Sequence, residues 1–183
     1  SIETGDHAPI ASINPDRYIQ HNLAVADGLA GFGAVMKQLP PGSARARPVR
    51  LLQDGEYVVA HTDYDFFGPK IGFDVFRFEA GRIVEHWDNL QPKPQQPNPS
   101  GRTMIDGPTE ATDLQSTEAN KALVRGFLEE VLIKGKLDLL PRYFDDGRYL
   151  QHNPRVGDGL KGLAAGMEQM AREGQAPRFT KVH

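Results

Sequence analysis

The chain has no cysteine among its 183 residues, which excludes disulfide bonds and thiolate metal sites. It has no apolar run of membrane-spanning length and no basic surplus. Lys and Arg number 21 against 24 Asp and Glu, a formal net charge of -3. Such a balance offers no clustered positive field, so neither nucleic acid nor a membrane is expected as a partner. No charged-then-apolar leader opens the sequence, and the missing thiols are compatible with a reducing compartment; a cytoplasmic location is the expectation. Nucleotide-binding signatures are missing too. No Gly-x-Gly-x-x-Gly follows a strand, and there is neither a Walker-type loop nor a Gly-x-Ser-x-Gly elbow. The Gly- and Ala-rich stretches 28–34 and 159–166 read instead as short, tightly packed helices. What is left, 39% apolar and 25% charged, is the composition of one generous globular domain or two small ones.

An internal repeat organises what is there. Arg17-Tyr18-Ile19-Gln20-His21-Asn22 returns as Arg148-Tyr149-Leu150-Gln151-His152-Asn153. The register continues without a gap: Val25, Asp27, Gly28 and Leu29 fall on Val156, Asp158, Gly159 and Leu160, and Gly31, Ala34, Met36 and Gln38 on Gly162, Ala165, Met167 and Gln169. The two copies are incomplete in opposite ways. Ahead of its motif the second copy has an amphipathic stretch from Thr117 to Leu132, with Leu123, Phe127 and Val131 at helical spacing, a stop at Gly135 and a short second helix over 137–144. The first copy has only residues 1–16 there, with Gly5-Asp6 as the counterpart of Gly135-Lys136, so its long first helix is missing. Conversely, the second copy stops at residues 179–183, where the first enters its strands.

Strands are expected over 47–52, 57–66, 71–78 and 82–89, with Asp54-Gly55 as a tight turn between the first two. The last two form a hairpin around Glu79-Ala80-Gly81, read as a three-residue loop in which Gly81 supplies a positive φ. Short helices are expected over 27–39 and 158–170. The proline-rich run from Leu90 to Gly101, extending loosely to about Gln115, reads as a linker. The expected organisation is a first copy over 1–92, a linker over 93–116, and over 117–183 the N-terminal part of a second copy (helices, a short strand, a helix) whose sheet is truncated.

Four places carry candidate chemistry. On the last strand, alternation sets Val84, His86 and Asp88 on one face and Ile83, Glu85 and Trp87 on the other. A histidine and a carboxylate two residues apart can serve as an acid/base pair in an apolar pocket, or can be an exposed polar strand end. His61-Thr62-Asp63 echoes that spacing, and both His-x-Asp sets could meet on one face; a polar surface strand is the alternative. Gln20-His21-Asn22, beside Tyr18, could project into a pocket mouth or cap a turn. Asp74, flanked by Phe73 and Phe76, must be paired, hydrogen-bonded or protonated, as a site residue or as a structural partner of Arg77 or Arg82; alternation with Phe76 and Phe78 tilts it towards the pocket. Two His-x-Asp pairs and a third histidine could also ligate zinc or non-haem iron, although no further ligand spacing accompanies them.

Taken together, helix, helix, Tyr-x-Gln-His-Asn, short helix and an antiparallel sheet ending in Gly81-Arg82-Ile83-Val84-Glu85-His86-Trp87-Asp88 resemble the SnoaL-like polyketide cyclases of the NTF2-like superfamily. Tyr18 to Asn22, Asp74 to Arg77 and Ile83 to Asp88 are the most specific pieces. The resemblance implies an α+β fold, a cone in which a curved antiparallel sheet is wrapped by helices, here with a second partial copy of the same unit. It implies aldol-type cyclisation or isomerisation of a small apolar carbonyl compound without metal or cofactor. Asp88 matches the catalytic aspartate, with His86 beside it and His61, His21 and Asn22 as donors; Asp74, Phe76 and Tyr18 complete the pocket. It also implies pairing through the sheet's outer face, as a homodimer or an intrachain pseudo-dimer. A non-catalytic ligand-binding or protein-interaction module is the alternative on the same fold. Only the first copy contains a counterpart of the His86-Trp87-Asp88 strand. The order of elements fits a piece of a longer tandem protein, or a permuted domain closed by the helices of 117–144; Ser1 and His183 both fall inside expected elements, which favours the former.

Overall fold

A computed structural model describes residues 3–4, 6–40, 42–145, 148–175, 178–180 and 182. Ser1, Gly5, Lys181 and His183, which had roles in the expectations above, lie outside the described residues. The chain divides into two compact units, residues 1–93 and 94–183. Both are built from α and β or α and loop elements, and the class is α+β. Among the described residues no helix is long and apolar enough to cross a membrane.

Among its described residues the first unit has a five-stranded sheet, in the order β1-β5-β4-β3-β2, with a 3-10 turn over Ala8–Ser12 and one α-helix. Its strands are β1 (Ile19–Gln20), β2 (Arg45–Asp54), β3 (Tyr57–Asp65), β4 (Pro69–Glu79) and β5 (Arg82–Pro92). The four long strands are antiparallel neighbours, and β1 joins β5 in parallel through Ile19 opposite Glu85 and Gln20 opposite His86. Aromatic and β-branched residues fill β3 to β5; β2, β4 and β5 run a few residues beyond the expected bounds, while β3 stops one residue short at Asp65. Two bulges bend the sheet, one between Pro48 and Arg50 and one opposite Arg77 and Phe78.

Two expectations about the β4–β5 hairpin need correction. Glu79 pairs with Arg82, so the loop is the two residues Ala80-Gly81, both at positive φ (47° and 74°), the geometry of a type I′ turn. The bulge places one extra residue on β5, because Phe78 pairs with Ile83 while Arg77 pairs with Glu85. Ile83 consequently lines the inner cavity, and Val84 is packed away with no exposed surface.

The helix α1 (Gly28–Met36) lies beyond the loop that follows β1. It approaches that loop closely: a Cβ on Gly31 would sit 1.9 Å from the Ala26 carbonyl oxygen. Phe32, Val35 and Met36 of this helix share one wall of the cavity with Leu39.

In the second unit, α2 (Thr117–Phe127) continues through a π-helical turn over Leu128–Ile133, Gly135 follows at φ 70°, and a 3-10 turn spans Leu137–Arg142. A third helix, α3 (Gly159–Arg172), closes the unit. The short strand expected within 117–183 does not form among the described residues: Leu150-Gln151, which match Ile19–Gln20 of β1, have no strand beside them. The Asn98 side chain takes that role: its amide donates to the carbonyls of Gln151 (2.7 Å), Val156 (3.0 Å) and Asn153 (3.4 Å). Asn98 is buried, and Arg102 donates to both Asp158 carboxylate oxygens at 3.0 and 2.8 Å. The proline-rich segment is therefore tied to this unit by hydrogen bonds at 98–102 rather than running free.

The repeat recurs hydrogen bond by hydrogen bond. Gln20 N–H donates to Asp27 at 2.8 Å and Gln151 N–H to Asp158 at 2.9 Å. Gly28 N–H donates to the Tyr18 carbonyl at 2.8 Å, and Gly159 N–H to that of Tyr149 at 2.7 Å. The Gln20 amide reaches the Tyr18 hydroxyl at 3.2 Å, the Gln151 amide that of Tyr149 at 3.1 Å. Asn22 and Asn153 each accept from the residue two positions on, at 2.8 and 2.9 Å, in an Asx turn.

Candidate active site

A cavity of about 310 Å³ opens on the inner face of the first unit's sheet. Its walls are mostly apolar, from Ile13, Val25, Phe66, Phe76, Ile83, Leu90 and the α1 residues already named. The polar groups reach it from β1 and its flanks and from β3, β4 and β5. Alternation along β4 and β5 turns Asp74 and Phe76, His86 and Asp88 to the same side, with Asp74 directly across from Asp88 and Phe76 across from His86. Tyr18 just before β1, Gln20 in it and Asn22 in the loop after it add to the lining, and β3 adds Tyr64.

These groups form two connected sets. In the first, Asp74 is almost fully buried and both its oxygens are occupied. Tyr64 donates its hydroxyl to Oδ2 at 2.8 Å, and His86 Nε2 lies 3.2 Å from Oδ1. His86 Nδ1 lies 2.9 Å from Gln20 Oε1, which also accepts the Asn22 backbone N–H at 3.1 Å. That backbone donor settles which end of the Gln20 amide is oxygen, so His86 Nδ1 carries a proton and directs Nε2 at Asp74. Phe76 stacks on the imidazole at 4.7 Å between ring centroids. In the second set, the Asn22 amide donates to Asp88 Oδ2 at 2.6 Å. Asp88 Oδ1 has no hydrogen-bond partner among the described residues.

Space for Tyr64 depends on a missing side chain. A Cβ on Gly72 would meet the Tyr64 ring at 2.7 Å and Leu90 at 2.8 Å. The ring lies over that glycine, and its hydroxyl thereby reaches Asp74. Burial, then the neighbouring Asp74 carboxylate, pushes the Tyr64 phenol well above its ordinary value. Burial also pushes Tyr18 up to about 12, against the opposing hydrogen bond from Gln20, with the charges of Asp88 and Asp74 adding to the rise. Both phenols are neutral donors at ordinary pH. Asp74, His86 and Asp88 also bring one ligand atom each within 4.8 Å of one another, a carboxylate–imidazole–carboxylate set able to hold a divalent cation.

Of the residues singled out from the sequence, Tyr18, Asn22, Asp74, Phe76, His86 and Asp88 line this cavity. His21 and His61 do not. Because Gln20 faces inward, His21 faces outward, stacks on Trp87 at 4.6 Å and pairs with Glu85 at 2.8 Å. Burial works against the Glu85 charge, yet hydrogen bonds from His21 and Arg77 hold its carboxyl below the ordinary value. His61 sits on the same outer face, stacked on Phe73 at 4.2 Å with Nδ1 3.1 Å from Arg50. Asp63 beside it pairs with Lys93 at 2.8 Å and Arg47 at 3.0 Å. The two His-x-Asp sets thus occupy opposite faces, since the β3–β4 register aligns His61 with Phe73 rather than with Asp74. Gln20, which could from the sequence either project into a pocket mouth or cap a turn, faces inward and belongs to the site. Tyr64 belongs to it too and was not singled out; nothing short of the strand register identifies it.

No protein-family model matches the chain, and no curated protein matches it. Solved structures are similar over about half of it. TsrD from Streptomyces laurentii is 20% identical over 45% of this chain and 72% of its own, with a TM-score of 0.38. A candidate polyketide cyclase from Bacillus cereus is 17% identical over 49% of this chain and 66% of its own, at 0.43. A candidate ketosteroid isomerase from Kribbella flavida is 18% identical over 55% of this chain and 75% of its own, at 0.40. With every one of these TM-scores below 0.5, the likeness carries no argument about chemistry, which has to rest on the residues in the cavity.

Proposed function

We propose that the first unit is a SnoaL-like small-molecule enzyme that performs acid/base chemistry, an aldol-type cyclisation or an isomerisation, on an apolar carbonyl compound without a cofactor. The observation that supports this reading is the asymmetry of two facing carboxylates in one apolar cavity. Asp74 has both oxygens occupied, by Tyr64 and His86, whereas Asp88 is held by Asn22 through Oδ2 alone. Asp74 is the fixed partner that orients His86. Asp88 Oδ1 is the base.

In the reaction, Asp88 Oδ1 takes the proton from the carbon α to the carbonyl, and the C–H electron pair becomes the enolate. In an isomerisation that proton returns to a different carbon of the conjugated system. In an aldol closure the enolate carbon forms the new C–C bond to a second carbonyl, and the proton taken by Asp88 Oδ1 passes to the resulting alkoxide oxygen, which restores the base. Pairing of two copies through the outer face belongs to the same proposal; Tyr57 and Phe73 leave apolar surface exposed there.

The test works before the natural substrate is identified. Exchange of α-protons for deuterium is followed by NMR across a panel of apolar ketones and diketones. Asp88→Asn should bind the same compounds and lose roughly 100-fold or more of the exchange rate, the scale of a positioned general base. Undiminished exchange in that variant would remove Asp88 as the base. Binding without exchange in the parent chain would make the unit a ligand-binding module. A metal-dependent reading rests on the 4.8 Å cluster of Asp74, His86 and Asp88, and it would replace the cofactor-free one if a chelator abolished exchange and a divalent cation restored it.

A further inference from the structure

The acid/base reading requires a donor for the oxygen that becomes the enolate, and the groups expected for that role are committed elsewhere. His21 and His61 face the other side of the sheet. The Asn22 amide is held by Asp88, and the Tyr64 hydroxyl is given to Asp74. We propose that Tyr18 is the hydrogen-bond donor to the substrate's carbonyl oxygen and that Gln20 aims it.

Tyr18 is 6% exposed and lines the cavity. Among the described residues its hydroxyl has one hydrogen-bond partner, the Gln20 amide nitrogen at 3.2 Å. The direction of that bond follows from the rest of the Gln20 contacts. Gln20 Oε1 receives the Asn22 backbone N–H and faces His86 Nδ1, so the end of the amide turned to Tyr18 is the NH₂. The phenol oxygen accepts from it, and the phenol's own proton is left over. A buried O–H without an acceptor costs free energy, and a ligand oxygen in the cavity removes that cost. The Tyr18 phenol, raised to about 12, donates such a bond without ionising.

The second unit gives an internal comparison. Tyr149 and Gln151 repeat the bond at 3.1 Å, and Asn153 N–H again fixes the amide at 2.9 Å. There the Tyr149 ring packs on Phe144 at 4.2 Å, and among the described residues no strand lies beside it to present a histidine or aspartate. The Tyr–Gln pair is a property of the loop; the acid/base groups around Tyr18 are what turn it towards a ligand.

This assignment rests on the acid/base reading but is tested by binding and spectroscopy alone, so the two can fail separately. The probe is acetylnaphthalene, an apolar aromatic ketone, with naphthalene as its oxygen-free control, both added to the whole chain. Donation by Tyr18 lowers the infrared stretching frequency of the bound carbonyl. Tyr18→Phe should return that frequency to its value in an apolar solvent and weaken acetylnaphthalene roughly 2- to 10-fold, the range for one neutral hydrogen bond, with naphthalene affinity unchanged. Fluorotyrosine at position 18, a more acidic phenol of nearly equal size, should shift the frequency further in the parent direction. The same frequency in the parent chain and in Tyr18→Phe overturns the assignment, as does a parent chain that fails to bind acetylnaphthalene. An equal loss of both probes in Tyr18→Phe also overturns it, since the hydroxyl would then act only through packing. Loss of α-proton exchange in Asp88→Asn is indifferent to these readings.

Discussion

Gln20→Leu keeps the side chain's approximate volume and removes three polar contacts, so its cost can be worked from the geometry. The Asn22 backbone N–H loses its acceptor at 3.1 Å, His86 Nδ1 loses its acceptor at 2.9 Å, and the Tyr18 oxygen loses a donor at 3.2 Å. A stranded, partly buried donor costs about 1–3 kcal/mol, whereas an oxygen that merely loses one donor costs less, so the whole change should destabilise the first unit by about 2–4 kcal/mol. Gln151→Leu strands only the exposed Asn153 N–H and should cost about 1 kcal/mol. The chain's single tryptophan, Trp87, lies on β5 of the first unit and separates the two effects. In a urea titration followed by Trp87 fluorescence, a loss of about 3 kcal/mol at a slope of roughly 1.5 kcal/mol per molar moves the midpoint down by roughly 2 M. Gln151→Leu should leave that midpoint in place and register only in far-ultraviolet circular dichroism. Equal shifts of the tryptophan midpoint in both variants, or none in Gln20→Leu, would refute the accounting.

Two further predictions concern the fold itself. Gly31→Ala would place a Cβ 1.9 Å from the Ala26 carbonyl oxygen, and Gly162→Ala one 2.2 Å from that of Gly157; each should destabilise its own unit by about 1–3 kcal/mol in thermal melts, and a neutral result at both would show that the loop yields easily. The tyrosines set an alkaline limit. Tyr18 and Tyr64 have folded values raised above the ordinary phenol value, chiefly by burial, so their contribution to stability is whole below about 10 and is lost as pH climbs towards the folded values. Phenolate absorbance should therefore show fewer than the chain's five tyrosines ionising before Trp87 fluorescence reports unfolding; all five titrating together in the native state would contradict the buried placement.

Much of the architecture was legible because it follows from local chemistry. Alternation in β3 to β5, the glycines at 55 and 81 and the ungapped repeat place the strands, turns and helices without long-range information. The inward set Asp74, Phe76, His86 and Asp88 follows from alternation once β4 and β5 are paired. What alternation alone could not give was the bulge opposite Arg77 and Phe78, which turns Ile83 inward, because a bulge depends on how two strands meet. His61 was misplaced for a related reason. The spacing of His61 and Asp63 matches that of His86 and Asp88, but facing depends on register, and the β3–β4 pairing puts His61 opposite Phe73. His21 was the avoidable error, since Gln20 and His21 are adjacent in an extended segment and point to opposite faces.

The two occurrences of the Tyr-x-Gln-His-Asn loop separate what the loop does from what the site does. Both loops close with an aspartate accepting from the glutamine backbone, a glycine donating back to the tyrosine carbonyl, and a glutamine bridging tyrosine to asparagine. These bonds are satisfied within the motif, so its repetition is explained by folding and needs no chemistry. The difference lies in what takes the groups the loop leaves over. In the first unit β5 supplies a strand partner, and its alternation delivers His86 to Gln20 and Asp88 to Asn22. In the second unit the carbonyls of Gln151, Asn153 and Val156 are taken by Asn98, one side chain doing what a strand edge does in the first. The loop is thus a scaffold that accepts either partner, and the acid/base character comes from β4 and β5, the hairpin whose inward face carries the carboxylates and the imidazole.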